Sequence, residues 1–381
     1  METQVSYLWK EPEAAEDYKT AVSLHGHTNH SRESLCFISD LAKDVAPLRW
    51  ALARQERRAL REGGIRVNFE KGYWVPPVSA RTAYQIECKQ INEELQLFSM
   101  VSLTDHDNLE APLLLQMLPE SAQIPISLEW SVPYRGAELH LGIHNLPPHR
   151  ASSLMQEFAD YTERPDTEKL RDLLASLHKI RDVLVVLNHP MWDLCRVGEA
   201  HHKQAILTFM AVLGQYVHAF ELGGLRGWEE NQRSVDMAAG WNVPVVSGGD
   251  RHGYEPNACV NLTNAATFSE FVDEVRHGRS HVLFMPHYAQ PLASRMIRVV
   301  NEVVRSYPDS PLGVQWDDRV FHPGCDGAER TLSQLWQKPP AYIGAVFAFL
   351  RLFETAVLRR ASLVFGRPEQ QFRLTWTGDA S

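Results

Sequence analysis

Val22-Ser23-Leu24-His25-Gly26-His27-Thr28-Asn29-His30-Ser31 is the stretch on which the reading of this sequence turns. Ala21 to Leu24 is a short apolar run that stops on two histidines one residue apart. On an extended chain, side chains at i and i+2 lie on the same side. His25 and His27 therefore point together at one object. Two neutral imidazoles on one face are a ready pair of ligands for zinc, manganese or iron. A lone His-x-His also arises by chance, as polar strand-end residues bonded to backbone. Here the chain repeats the device.

Ser99 to Thr104 runs into Asp105-His106-Asp107, and Ile124 to Leu128 runs into Glu129. Glu138 to Ile143 contains His140 and is followed by His144. Val183 to Leu187 runs into Asn188-His189-Pro190, and Val217 to Phe220 into Glu221. Val243 to Ser247 runs into Gly248-Gly249-Asp250-Arg251-His252, and His281 to Phe284 is a last short strand. Between them Thr167–Lys179, Gln204–Gly214, Asn231–Gly240 and Phe268–His277 read as helices, the last opened by a capping box of Thr267 and Glu270. Apolar strands alternating with helices predict an α/β protein with a parallel sheet covered by helices. At least seven strands, most ending in a residue able to do chemistry, predict a closed barrel with its site at the C-terminal strand ends. An open doubly wound sheet is the alternative, and would gather its site at one switch point.

The set to explain is His25, His27, His106, Glu129, His140, His189, Asp250 and His252. Imidazoles mixed with carboxylates, and no thiolate, suit zinc, manganese or iron. More than five ligands imply more than one ion. A shared carboxylate such as Glu129 can bridge two ions about 3.5–4 Å apart, an arrangement that clamps the attacking and leaving oxygens of a phosphoester.

The segments LHGHTNHS, SLTDHDN, SLEWS, ELHLGIH, LNHP and SGGDRHG, in that order, resemble those of the PHP (polymerase and histidinol phosphatase) superfamily of metal-dependent phosphoesterases. They cover residues 20 to 285. The resemblance implies a distorted (β/α)7 TIM-like barrel and two to three divalent ions. It implies that His25, His27, Glu129 and Asp250 hold the first ion, and Glu129, His140 and His189 the second. His106 and His252 would hold the third, with one more ligand from the loop after His27. That family places Asp or His five or six residues beyond the second histidine. Here those positions are Arg32 and Glu33, so Glu33 is the expected ligand and His30 the alternative. The implied reaction is hydrolysis of a small or nucleotide-like phosphomonoester by metal-activated water. Arg251 and Arg32 are the candidate cations for the charge developing on phosphorus. Asp107 is a partner to a ligand or a proton donor to the leaving group, and His144, Asp193 and Glu221 orient ligands.

Other readings stay open. An amidohydrolase-like metal hydrolase commonly uses a lysine at a strand end, and no lysine stands at one here. A catalytically silent, metal-stabilised binding module would instead use residues 287–381 as its partner surface.

The remaining features bound these readings. At 381 residues, with a formal net charge of −9, the chain can bury a large core but lacks the cationic balance of an extended nucleic-acid surface. Five scattered cysteines without a C-x-x-C pair argue against a disulfide framework and for a reducing, cytoplasmic setting. Residues 1–20 read as a polar tail without a secretory signal, and no run is long and apolar enough to span a bilayer. Residues 21–286 form the metal-dependent domain, with an insertion at 37–80. Within it Leu48 to Arg61 reads as a helix bearing Arg54, Arg57, Arg58 and Arg61, a solvated face or a cap over a phosphate-bearing substrate. Residues 287–381 read as a helical C-terminal extension. Its apolar stretch at 341–366 reads as a core or interface helix, through which a partner or a second copy of the chain would dock, with a membrane-surface helix as the alternative.

Overall fold

The computed structural model describes residues 2–36, 46–64, 71–323, 328–336 and 375–377, with single positions at 344, 348 and 352. Among these described residues the fold is mixed α/β with three sheets. The first, six-stranded, runs in the order β15 (Thr375–Thr377), β1 (Glu2–Tyr7), β12 (Arg279–Phe284), β11 (Cys259–Thr263), β2 (Thr20–Ser23) and β5 (Phe98–Val101). The second, five-stranded, runs β10 (Val245–Gly248), β9 (Ala219–Gly223), β8 (Leu184–Leu187), β7 (Ala137–His144) and β6 (Leu128–Tyr134). The third is small: β14 (Glu329–Thr331), β13 (Val320–Pro323), β4 (Tyr73–Trp74) and β3 (Glu33–Ser34).

The expected closed barrel is not found. Among the described residues no continuous ladder joins the two large sheets. They meet at two seams, each reduced to one isolated parallel bridge, Gly26↔Arg251 and His106↔Glu129. The reason is local. Past the ends of β2 and β10, His25 (φ 62°) and Asp250 (φ 50°) turn left-handed, as does Asp107 (φ 48°) beyond β5. A chain that curls this way cannot extend a ladder. A pair of backbone hydrogen bonds replaces it at each seam: Gly249 N–H donates to Leu24 O (3.1 Å) and His27 N–H to Arg251 O (2.7 Å), while Glu129 N–H donates to Asp105 O (3.2 Å) and Asp107 N–H to Glu129 O (2.9 Å).

The sheets are not all parallel either. β8, β9 and β10 pair parallel, as do β2 with β5 and β1 with β12. β6 and β7 instead form an antiparallel hairpin through Arg135 (φ 49°) and Gly136 (φ 80°), and β7 pairs antiparallel with β8. Two successive positive φ values define the turn that matches strand twist in a two-residue hairpin. The hairpin sets Ser131 opposite His140 and carries both Glu129 and His140 to the centre.

Helices cover the second sheet. Pro148–Glu163 starts on proline, which the first turn tolerates because its N–H would have no helical partner. Asp166 caps Thr167–His178 by accepting from Lys169 N–H at 2.9 Å. Leu154, Phe158, Leu170, Leu174 and Leu177 from these helices pack with Trp130, Leu141 and Val185 in the main core. Trp130 donates its indole N–H to Thr162 Oγ1 (3.0 Å), so its polar edge is satisfied inside that core.

The outer parts differ from the sequence reading. Residues 1–20 are no loose tail, because β1 lies between β12 and β15 in the largest sheet. The C-terminal region is helical at Leu292–Val304 but also supplies β13, which pairs with β4. The insertion and the C-terminal region thus share the small sheet. Ala46–Gly63 is the expected arginine-bearing helix. Most of 341–366 lies outside the described residues, and no described helix is long and apolar enough to cross a membrane.

Candidate metal centre

The seams are where the ligand candidates collect. His25, Asp107, His189 (φ 26°) and Asp250 all hold left-handed backbone without being glycine. Such residues persist only where the surroundings enforce them, and they cluster at functional sites. Here the turns aim strand-end side chains at one region.

Four donor atoms converge first. His25 Nε2 and His27 Nε2 are 3.1 Å apart. Glu129 Oε2 lies 3.0 Å from the first and 3.3 Å from the second. Asp250 Oδ1 lies 3.8 Å from His25 Nε2 and 3.5 Å from His27 Nε2. Ligands about 2.0–2.1 Å from a tetrahedral zinc stand about 3.4 Å from one another. The observed separations bracket that value, so His25, His27 and Glu129 fit a divalent cation in spacing and in chemistry, and Asp250 Oδ1 stands at similar range of both imidazoles.

Two further groups adjoin it. Glu129 Oε1 lies 3.1 Å from His189 Nε2 and 3.3 Å from His140 Nδ1, and these two nitrogens are 3.4 Å apart. Glu33 Oε2 lies 3.1 Å from His252 Nε2 and 3.3 Å from His106 Nε2, while Glu33 Oε1 is 3.4 Å from His27 Nδ1. His106 Nε2 is also 3.3 Å from Glu129 Oε2. Glu129 is fully buried and central to the cluster. His30, the alternative to Glu33, turns away and pairs with Glu110 at 2.8 Å.

The electrostatics follow from packing acids among imidazoles without water. Burial alone would raise the carboxyl of Glu129, but the imidazoles of His25, His106 and His140 hold it well below the usual range. Asp250 is held low in the same way, against burial, by His252, His27 and Arg226. The carboxylates act back on the rings. Against burial, Glu33, Asp250 and Glu129 push His27 up to about 10. Glu129 and Glu221 likewise raise His25 well above its ordinary value. Carboxylates buried this deeply need cationic neighbours, and protons or metal ions both meet that need.

A surrounding layer fixes the ligands. Glu221 Oε1 is 3.0 Å from His25 Nδ1, and Glu221 Oε2 accepts from His189 N–H at 2.8 Å. Asn188 Nδ2 donates to Glu129 Oε1 at 2.9 Å. His140 Nε2 is 3.3 Å from Glu138 Oε1. Gly248 is required by this layer, because a Cβ there would stand 1.9 Å from Glu221 Oε1. His144 stays inside the fold with Nδ1 2.8 Å from Ser102 Oγ, and burial lowers it to about 3. Asp193 accepts from Val197 and Gly198 N–H (3.0 and 2.8 Å), fixing the loop after His189 and touching no ligand atom.

The three residues read as catalytic have different partners. Asp107 is exposed beside His106, its Oδ1 accepting from Ser131 N–H at 3.0 Å. Arg251 is 4% exposed, and its Nε is 2.8 Å from the buried Glu87. Arg32 lies on the surface over Tyr73 and pairs with Glu329 at 3.1 Å. Among the described residues, a guanidinium that meets the ligand set is one the sequence reading passes over. Arg226 donates to Asp250 Oδ2 at 2.7 Å and stacks on Trp192 at 4.0 Å. It follows Glu221 in the run ELGGLRG, and nothing in that run's spacing marks it. Asn188 precedes His189, and its adjacency to a ligand was the available signal. A cleft lined by Glu138, His140, His189, Trp192, Leu194 and His202 opens beside the centre.

No family model matches this sequence, and no curated protein does. Three solved structures share part of its shape. PsfC from Pseudomonas syringae is 16% identical over 54% of this chain and 84% of its own, with a TM-score of 0.38. A proposed metal-dependent phosphoesterase from Bifidobacterium adolescentis is 14% identical over 52% of this chain and 90% of its own, with a TM-score of 0.30. An amidohydrolase from Chromobacterium violaceum, with bound sulfate and no metal, is 12% identical over 52% of this chain and 92% of its own, with a TM-score of 0.33. Overlap this low says nothing about the chemistry of the centre.

Proposed function

We propose that this chain is a metal-dependent hydrolase acting on phosphomonoesters. The observation that carries the reading is the convergence of His25, His27, Glu129 and Asp250 at cation-ligand spacing, with two adjoining groups that share Glu129 or are built on Glu33. His25, His27, Glu129 and Asp250 would hold one ion, Glu129, His140 and His189 a second, and Glu33, His106 and His252 a third. Manganese, zinc and iron suit the donors. Ions bound there would acidify a water molecule and offset charge on phosphoryl oxygens.

The chain's own residues do the rest. Glu221 and Asn188 orient ligands, so that the centre is formed before substrate arrives. Arg226, beside Asp250, draws the phosphoryl group to the centre and takes the role that the sequence reading gave to Arg251 and Arg32. Arg251 then serves the fold by neutralising Glu87. Asp107, exposed beside His106, is placed to pass a proton to the departing oxygen.

The test is hydrolysis by full-length, manganese-supplemented protein on a panel of phosphomonoesters, phosphodiesters and amides. His106→Ala and Asp250→Ala proteins run beside it. Phosphomonoester turnover abolished by both substitutions supports the reading. Turnover of amides alone would make the chain a different metal hydrolase. No turnover with any metal would leave a binding module.

A further inference from the structure

We propose that Cys36 and Cys195 are a disulfide-forming pair that latches the segment carrying Glu33 to the loop that follows His189. Their sulfurs lie 3.6 Å apart across 159 residues of sequence. Sequence spacing scatters these cysteines, and the fold brings them into contact. A disulfide of about 2.05 Å needs a closing movement of about 1.5 Å. Both residues are half-buried, so a small thiol reagent reaches them.

The other described cysteines are placed differently. Cys259 is fully buried, with Sγ 3.4 Å from the carbonyls of Leu222 and Gly248. Cys88 lies on the helix Ala80–Gln90, with Tyr84 and Ser99 as its side-chain partners.

The position of the pair gives the bond a consequence. Cys36 is three residues past Glu33, the carboxylate between His106 and His252. Cys195 sits on the loop whose Trp192 and Leu194 line the cleft beside His140 and His189. Asp193 holds that loop by its two backbone hydrogen bonds. One flank belongs to the small sheet and the other follows the five-stranded sheet. A covalent bond between them fixes the rim of the cleft.

The oxidant is a small-molecule disulfide, glutathione disulfide being the probe. One cysteine thiolate attacks a glutathione sulfur, giving a mixed disulfide and one glutathione thiolate. The second cysteine thiolate then displaces the second glutathione. The two protein thiols lose two electrons and two protons, and glutathione disulfide becomes two glutathione molecules.

The experiment equilibrates the full chain in glutathione redox buffers, alkylates it under denaturing conditions, counts thiols and maps the peptides. The thiol count is expected to fall from five to three. A 36–195 cross-linked peptide appears, and dithiothreitol reverses both changes. Amide exchange at 33–36 and 190–197 slows on oxidation. Cys88→Ser protein forms the same cross-link, while Cys36→Ser and Cys195→Ser proteins form none. A count that stays at five, a cross-link mapped to Cys88 or Cys259, or unchanged exchange in the oxidised protein would overturn the proposal.

Discussion

Glu221 holds His25 and His189 at once, with one oxygen 3.0 Å from the His25 ring and the other accepting from the His189 backbone 2.8 Å away. A single strand-end carboxylate thereby sets the ring of one ligand and the chain direction of another. Residues in this position beside a metal typically tune affinity about 10–100-fold. Glu221→Gln is expected to weaken metal binding by about that factor while the protein stays folded. Competition with a chromophoric chelator measures the affinity, and circular dichroism checks the fold.

Gly248 and Gly240 make a contrasting pair. A Cβ on Gly248 would collide with Glu221, whereas a Cβ on Gly240, at the end of the helix Trp228–Gly240, meets nothing within 4 Å among the described residues. Gly248→Ala is expected to cost about 1–3 kcal/mol by overpacking and to displace Glu221. Gly240→Ala is expected to be neutral or to stabilise by up to about 1 kcal/mol. Urea denaturation of both proteins checks the difference.

Arg251 and Glu87 form a buried ion pair at 2.8 Å, and Glu87 also accepts from Ser23 Oγ at 2.8 Å. Burial raises the Glu87 carboxyl, against the pull of Arg251. Removing either partner leaves the other charge without its counter-ion in the interior. Glu87→Ala is expected to destabilise by about 3–5 kcal/mol. The double variant Glu87→Leu/Arg251→Leu is expected to recover part of that loss. A double-mutant cycle in denaturant measures both.

His218 and His281 are buried as neutral rings, lowered by burial to about 3 and about 4. His218 Nδ1 accepts from Val185 N–H at 2.9 Å, and His281 Nδ1 lies 2.8 Å from the Tyr18 hydroxyl. The unfolded rings take up protons near pH 6.5, and the folded ones do so only well below it. Their contribution to stability is therefore complete above about pH 6.5 and is lost as pH falls toward the folded values. Each steepens the acid limb by up to about 1.4 kcal/mol per pH unit. His218→Gln is expected to flatten that limb between pH 6 and 4, as read from denaturation midpoints across pH.

The ligand set was legible because strand ends carry it. A short apolar run followed by His, Glu or Asp is a local pattern, and residues 105–107, 129, 189 and 250–252 each show it, whereas His140 stands inside its strand. The pairing of His25 with His27 was read from an extended chain. The chain actually turns left-handed at His25, and the rings still meet, because Gly26 and His27 are tied to Arg251 across the seam. The β6–β7 hairpin was not legible, since Arg135-Gly136 lacks the Asn or Asp that usually opens such a turn. The helix Pro148–Glu163 was passed over; it begins on Pro147-Pro148 and has no side-chain cap to announce it. The small sheet is built from strands as short as two residues, Glu33–Ser34 and Tyr73–Trp74, too short to carry any period. Arg226 reaches the centre with its guanidinium stacked on Trp192 of a different loop, a contact that no single segment encodes.

The most direct test of the account is metal stoichiometry by elemental analysis. The full chain would be stripped with chelator, reloaded with manganese or zinc and freed of excess metal, and Glu129→Gln protein would be treated identically. Glu129 contacts the first two ligand groups with different oxygens. The account therefore predicts two to three ions per chain in the native protein and at most one in the variant. No bound metal in the native protein, or the same stoichiometry in both, would contradict it.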